Sequence, residues 1–303
     1  MDIKFKVDKY HEYDKCQKVG KAVIVCNFMN ERSYASADCK NLQTTLKAYG
    51  FETLGDEEDM VYKNLTKRQF NDLYIKAARE NYGPGYACVL FIVMSYGKPG
   101  LIKCHSENKD GCCEYVEQKN LLEAFQPQNN NLLACKPKLF IIQTIPESEG
   151  TIDARGLPDF EEFRHFKRIP READFLTYTC ESDCINYDAK NDKDKNVFVR
   201  SIVEIFEEQM IKGRVVEIQK LLIKSNGKYK EARDKDDYEI FPDCKIPCVM
   251  SSLTGKLYLE PSKCERKCTS EERTVYDKGQ FQPPLENCSY IAPVHHRPSV
   301  LHL

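Results

Sequence analysis

The sequence predicts an α/β fold, a mostly parallel sheet with helices on both faces. Three observations carry that prediction. Short apolar runs at Lys21–Asn27, Ala87–Met94 and Leu139–Ile142 are each bounded by polar or turn-forming residues, as strands buried on both faces are. Segments with apolar residues at helical spacing separate these runs, and strand–helix alternation is the signature of a parallel sheet. With 303 residues, 41% hydrophobic and 30% charged, the chain can bury one large core.

The elements follow in order. Residues 1–18 are polar and read as a mobile arm. Lys21–Asn27 is the first buried strand. Ala37–Tyr49 carries Leu42, Leu46 and Tyr49 at helical spacing, and Gly50 stands where a helix C-terminal cap belongs. Phe51–Leu54 reads as a short strand and Asp56–Asp59 as an acidic loop. Thr66 and Gln69 have the form of a capping box, with Phe70, Leu73 and Ala77 continuing one helical face. Gly83-Pro84-Gly85 interrupts it before the strand Ala87–Met94. Leu101–Cys104 suggests a β-ribbon, Gln118–Phe125 a helix, and Asn129-Asn130-Asn131 a loop before Leu139–Ile142.

The segment 146–170 is acidic and rich in Gly and Pro, and reads as a linker between a larger and a smaller part. Beyond it come a strand (Ala173–Thr179), a charged loop (Asp188–Lys195), amphipathic helices (Val197–Met210 and Val215–Ser225), and a last strand (Ile246–Met250) with Leu257–Leu259 after it. The tail, 261–303, is expected to be irregular.

Composition narrows the function. A net charge of −2 gives no bias toward nucleic acid or membrane. No apolar run is long enough to span a bilayer, and Met1–Tyr10 lacks a signal-peptide apolar region. We therefore expect a cytoplasmic protein whose 15 cysteines are mostly reduced. Cys264, Cys268, Cys288, His295 and His296 are metal-ligand residue types, but their spacing fits no closed zinc pattern, so no metal and no cofactor are expected. Ligands of open α/β sheets gather at strand carboxyl ends. Here those ends read Ser95-Tyr96-Gly97 and Gln143-Thr144-Ile145-Pro146-Glu147, neither of which offers a strong nucleophile.

Four segments in this order resemble the caspase family. They are Lys136–Gln143, Ser95-Tyr96-Gly97, Ile169–Leu176, and Ile246–Thr254 with Leu257-Tyr258. The resemblance covers Lys21 to Glu260. It implies a caspase-haemoglobinase-like three-layer fold with a six-stranded, mostly parallel sheet. It divides the chain into an arm (1–18), a large-subunit-like part (19–145), the linker (146–170), a small-subunit-like part (171–260) and the tail (261–303).

Caspases use a thiolate nucleophile, a histidine for proton transfer and backbone N–H groups for the oxyanion. Their signature is Gln-Ala-Cys-x-Gly, with the histidine about 50 residues upstream. By this resemblance the Cys position is Ile145 and the His position is Tyr96. Isoleucine is no nucleophile, and a phenol with a reference pKa near ~10 is a poor base at neutral pH. Thr144 points to the opposite face of its strand. No histidine lies at the end of the third strand. The sequence therefore implies an inactive homologue, with Gly97 as a residual oxyanion element. Arg32, Gln143, Tyr187 and Lys190 align with the pocket that holds the substrate aspartate. Lysine at the last of these lacks the planar fork of arginine.

The last strand carries a dimer edge, Ile246, Cys248, Val249 and Met250, which in caspases pairs with a second protomer. The implied partners are an active caspase in a heterodimer, or a second copy. The implied function is regulation of that caspase in apoptosis. Two alternatives stand beside it. One is a decoy that binds Asp-containing peptides or caspase inhibitor proteins. The other is a residual cysteine-type endopeptidase. Asp153 in the linker could be cut by an active caspase, but an acidic surface loop is the favoured reading.

Overall fold

Strand β1 (Lys18–Cys26) opens the sheet, followed by α1 (Ala35–Ala48), β2 (Phe51–Glu52), β3 (Val61–Lys63), α2 (Lys67–Arg79) and β4 (Tyr86–Lys98) in a computed structural model. The structure describes residues 12–13, 18–29, 31–83, 85–106, 113–146, 173–182, 185–188, 193–234 and 245–261. Then come β5 (Leu101–Lys103), β6 (Tyr115–Glu117), α3 (Gln118–Ala124), β7 (Lys138–Pro146), β8 (Phe175–Cys180), β9 (Ile185–Asp188) and β10 (Lys193–Asn196). The last elements are α4 (Val197–Ile211), β11 (Val216–Glu217), α5 (Ile218–Arg233), β12 (Cys248–Ser251) and β13 (Tyr258–Leu259).

The main sheet runs β12-β8-β7-β4-β1-β2. Every pairing along that path is parallel except β12 against β8. Six strands on the path, mostly parallel, match the expected α/β class. The short β3 adds to β1 in parallel, and β5 turns back on the end of β4.

Strand periodicity sorts the core into two layers. Ala22, Ile24, Leu90, Ile92, Leu139, Ile141, Leu176 and Tyr178 face α1, α4 and α5 in one cluster. Val23, Val25, Val89, Phe91, Val93, Phe140, Ile142 and Phe175 face α2 and α3 in the other. Phe91 is fully buried in the second layer. It stacks on Phe70 with ring centroids 6.3 Å apart and meets Phe125 edge-on at 5.9 Å.

Local signals explain the helices that cover these layers. The Thr66 hydroxyl accepts from Gln69 N–H at 3.3 Å, and the Gln69 side chain accepts from Thr66 N–H at 2.9 Å, closing the capping box. Gly50 ends α1 with φ at 83°, a left-handed conformation that glycine adopts without cost. The end of α2 is tied to β1 by a largely buried ion pair, Lys21 Nζ to Glu80 Oε1 at 2.8 Å.

The structure departs from the sequence reading at several elements. Beta-strand β4 runs on from Met94 to Lys98, because Gly97 and Lys98 pair with β5. The expected charged loop at 188–195 is bounded by two strands: β9 and β10 pair antiparallel, Lys193 opposite Asp188 through Asn196 opposite Ile185. A backbone ladder needs no apolar side chains, so composition hides it. Helix α5 continues past Ser225 to Arg233, through Asn226 and Gly227, with buried Tyr229 in its last turns. The last strand begins at Cys248, two residues later than expected. Within the polar arm, Glu12 bridges to Lys256. Lys190, Asp153, most of the linker, the tail from Ser262, and every histidine except His105 lie outside the described residues.

Phe91→Ala removes the ring at the junction of three aromatic contacts. We expect a loss of about 3–5 kcal/mol, read as a lower urea midpoint with an unchanged slope.

Candidate functional site

The carboxyl ends of β4 and β7 lie side by side. Their register runs from Val89 opposite Lys138 to Gly97 opposite Pro146, and it places Tyr96 directly opposite Ile145. Two positions far apart in sequence thus become neighbours on one face of the sheet. Ile145 is 1% exposed and belongs to the layer under α1, α4 and α5. Thr144, one residue back, is buried with the opposite parity and sits across from Ser95.

Tyr96 is held from three sides. Its hydroxyl accepts from Arg32 Nε at 2.8 Å, and the Arg32 guanidinium carbon lies 5.4 Å from its ring centroid, within cation–π range. Phe28 meets the ring edge-on at 5.7 Å. Lys103 Nζ lies 5.9 Å from its centroid. The loop carrying Arg32 is itself fixed. Glu31 and Arg32 N–H both donate to Phe28 O. The Asn27 side chain accepts from Leu65 N–H at 2.9 Å and donates to Lys103 O at 3.1 Å. Asn64, in a left-handed conformation with φ at 48°, accepts from Met29 N–H at 3.1 Å.

Gly97 is required by packing. A Cβ there would lie 2.2 Å from Leu101 O, because β5 folds tightly back on β4 at that point.

Gln143 is fully buried and its amide is engaged. Its Nε2 donates to Asn196 Oδ1 at 3.1 Å and to Ser182 O at 3.4 Å, while Asn196 Nδ2 donates back to its Oε1 at 2.7 Å. Asn196 also caps α4, accepting from Phe198 N–H at 3.1 Å and Val199 N–H at 3.5 Å. Asp38, in the first turn of α1, hydrogen-bonds to the same Asn196. Its Oδ2 is buried without a hydrogen-bond partner. Burial pushes the Asp38 carboxyl up to about 8, and the Asn196 hydrogen bond offsets only part of that shift.

Asn196 and Asp38 were not singled out from sequence, though both leave a signal. Asn196 stands immediately before an apolar helix, a preferred N-cap position. Asp38 falls on the stripe Ala35, Cys39, Leu42 and Leu46 that α1 buries. Cys180, opposite Gln143 in the ladder, is buried beside Ser182 and Tyr229. Of the four pocket positions, Arg32 and Gln143 are brought to the strand ends. Tyr187 lies in β9, and Lys190 is outside the described residues. Among the described residues no three His, Cys, Asp or Glu side chains are grouped to hold a metal.

The edge residues fall at the far end of the sheet. Beta-strand β12 pairs with β8 alone among the described strands. Val249 packs on the core layer, whereas Ile246, Cys248 and Met250 are exposed, Met250 at 57%.

Residues 19–258 match the family model of the caspase domain. The chain is 28% identical over 266 residues to caspase-7 of Gallus gallus, covering 80% of this chain and 77% of that protein. It is 26% identical over 234 residues to caspase-3 of Mus musculus, covering 76% and 77%. A solved structure of pro-Sf-caspase-1 superposes with a TM-score of 0.59 at 22% identity, covering 80% of this chain and 95% of that one. That likeness is one of fold.

The Asp38 carboxyl gives a pH signature. An unfolded aspartate releases its proton near pH ~4, whereas the folded one keeps it to about 8. Folding therefore takes up a proton between those values, and this contribution to stability falls as pH rises through the window. Asp38→Asn removes the titration. We expect the variant to be more stable than the native chain at pH 8, and the difference to shrink toward pH 5, in urea titrations across that range.

Proposed function

The chain belongs to the caspase-domain family, and from that premise we propose that it is a catalytically inactive member that regulates an active caspase by pairing through β12. The observation that carries the reading is the facing pair Tyr96 and Ile145. By resemblance these are the positions of the proton-transfer histidine and the nucleophilic cysteine. One holds a phenol that accepts from Arg32, and the other a buried hydrocarbon. Loss of such partners in a hydrolase costs on the order of 10⁶ in turnover.

Binding remains as the activity. An exposed sheet edge presents unpaired N–H and C=O groups to another chain, and two protomers can share such an edge symmetrically. Among the described strands β12 is the end strand, and its Met250 and the preceding Ile246 are exposed. A heterodimer with an active caspase places the regulator's effect on that partner's own site, and so on apoptosis. Among the described residues no helix is long and apolar enough to cross a membrane.

The decoy reading, capture of Asp-containing peptides or caspase inhibitor proteins, asks more of the site. Arg32 would have to leave Tyr96, and Gln143 would have to leave Asn196. A residual peptidase would need a nucleophile that neither Thr144 nor Ile145 supplies.

The test is a titration of an active caspase, held at fixed concentration with an Asp-peptide reporter, by the purified chain. We expect a saturable change in reporter cleavage, with its midpoint moved by about tenfold or more in Met250→Asp. Val249→Asp is the wrong probe, because Val249 packs on the core. Reporter cleavage by the chain alone, retained in an Ile145→Ala variant and absent from a mock purification, overturns the inactive reading. A flat titration overturns regulation of that partner.

A further inference from the structure

Among the described residues of the N-terminal segment, Glu12 and Tyr13 touch the fold, and the contact is specific. Tyr13 N–H donates to Lys256 O at 3.2 Å, and Glu12 forms a parallel bridge with Lys256. The Tyr13 hydroxyl donates to Asp174 Oδ1 at 2.5 Å and accepts from Thr254 N–H at 3.0 Å. Thr254 Oγ1 donates to the same Oδ1 at 2.5 Å, and Thr254 N–H approaches it at 3.3 Å.

Asp174 is the hub of this network. It is 4% exposed and adopts φ of 70°, a left-handed conformation that aspartate tolerates better than most residues. Its carbonyl accepts from Lys138 N–H at 2.8 Å at the start of β7. Its N–H donates to Ser252 O at 2.9 Å, just past β12. One residue therefore joins the entry to β7, the entry to β8, the exit of β12 and the N-terminal segment. Burial pulls the Asp174 carboxyl upward, but the Thr254 and Tyr13 hydrogen bonds outweigh it and hold the group below its ordinary value. Burial, with the Asp174 bond, pushes the Tyr13 phenol up to about 12. At neutral pH the pair is thus a phenol donating to a carboxylate, a charge-assisted bond stronger than a neutral one.

We propose that Tyr13 is a clasp: docking of the N-terminal segment on Asp174 and Thr254 braces the exit of β12 and so sets how ordered the β12 edge is. The regulatory side of this inference rests on β12 being the partner-binding edge. The clasp itself rests only on the hydrogen bonds above. Segment 252–256 leads directly out of β12, and its Ser252 N–H and Oγ bond Phe175 as well. Removing the phenol leaves a buried carboxylate with one donor fewer, which loosens that segment first.

The experiment compares amide hydrogen exchange in the full chain with that in Tyr13→Phe and Tyr13→Ala. We expect exchange over 248–259 to rise by about tenfold in Tyr13→Phe, and further in Tyr13→Ala, while β4 and β7 keep their protection. Unchanged exchange over 248–259 in both variants overturns the clasp. A uniform rise across β4, β7 and β12 also overturns it, since Tyr13 would then add only to global stability. The caspase titration separates the two layers of the argument. If the native chain alters no caspase, the partner reading fails while a local exchange result still upholds the clasp. If the native chain titrates and Tyr13→Phe leaves the midpoint unmoved despite looser exchange, the clasp has no hold on pairing.

Discussion

The parallel register between β4 and β7 is the constraint on which the rest of the molecule depends. Nine consecutive residue pairs, Val89 to Gly97 against Lys138 to Pro146, lock two strands side by side. A shift of one residue would exchange every side chain between faces. With β7 slipped by one residue, Phe140 and Ile142 would leave the aromatic layer under α2 and α3, and Leu139 and Ile141 would leave the layer under α1 and α4. Both layers are apolar and both are covered, so each alternative register is costly. The same pairing sets the chemistry of the strand ends, because it alone brings Tyr96 to Ile145.

Polar groups at those ends are organised inward. Gln143 and Asn196 exchange hydrogen bonds, and Asn196 ties their pair to the first turns of α4 and α1. Such buried networks stabilise a single arrangement when every member has a partner. This one has a gap at Asp38 Oδ2, and a neutral carboxyl is the form that suits the gap. Arg32 is likewise directed at an internal acceptor, the Tyr96 hydroxyl. At the strand ends Arg32 and Gln143 are therefore engaged by the protein's own side chains, while the far edge of the sheet at β12 presents Cys248 and Met250 outward.

The sequence made legible what depends on unbroken apolar runs and on short-range caps. Beta-strands β1, β4 and β7 were readable from Val23–Val25, Val89–Val93 and Leu139–Ile142, and the Thr66 capping box needed only four residues. Features that depend on partners distant in sequence were not. Strands β9 and β10 are defined by backbone pairing, and Lys-Asp-Lys-Asn of β10 carries no apolar residue to give a strand pattern. Tyr13 is a lone aromatic in a polar stretch, and its meaning appears only when Asp174 and Thr254 arrive beside it. At the candidate site the sequence located Tyr96, Ile145, Arg32 and Gln143 by resemblance. It could not say that Arg32 and Gln143 would be engaged by neighbours, because Asn196 lies 53 residues from Gln143 and Tyr96 lies 64 from Arg32.

The burial of Ile145 has a chemical consequence. A thiol placed at that position would inherit a 1% exposed setting. Burial in hydrocarbon holds a thiol protonated and unreactive. A histidine placed at position 96 would meet Arg32, whose positive charge disfavours the imidazolium. Each substitution disturbs packing that the present residues satisfy. A single substitution to cysteine at the strand ends would therefore meet an environment that holds the new group in its unreactive form, and one to histidine an environment that disfavours its protonated form.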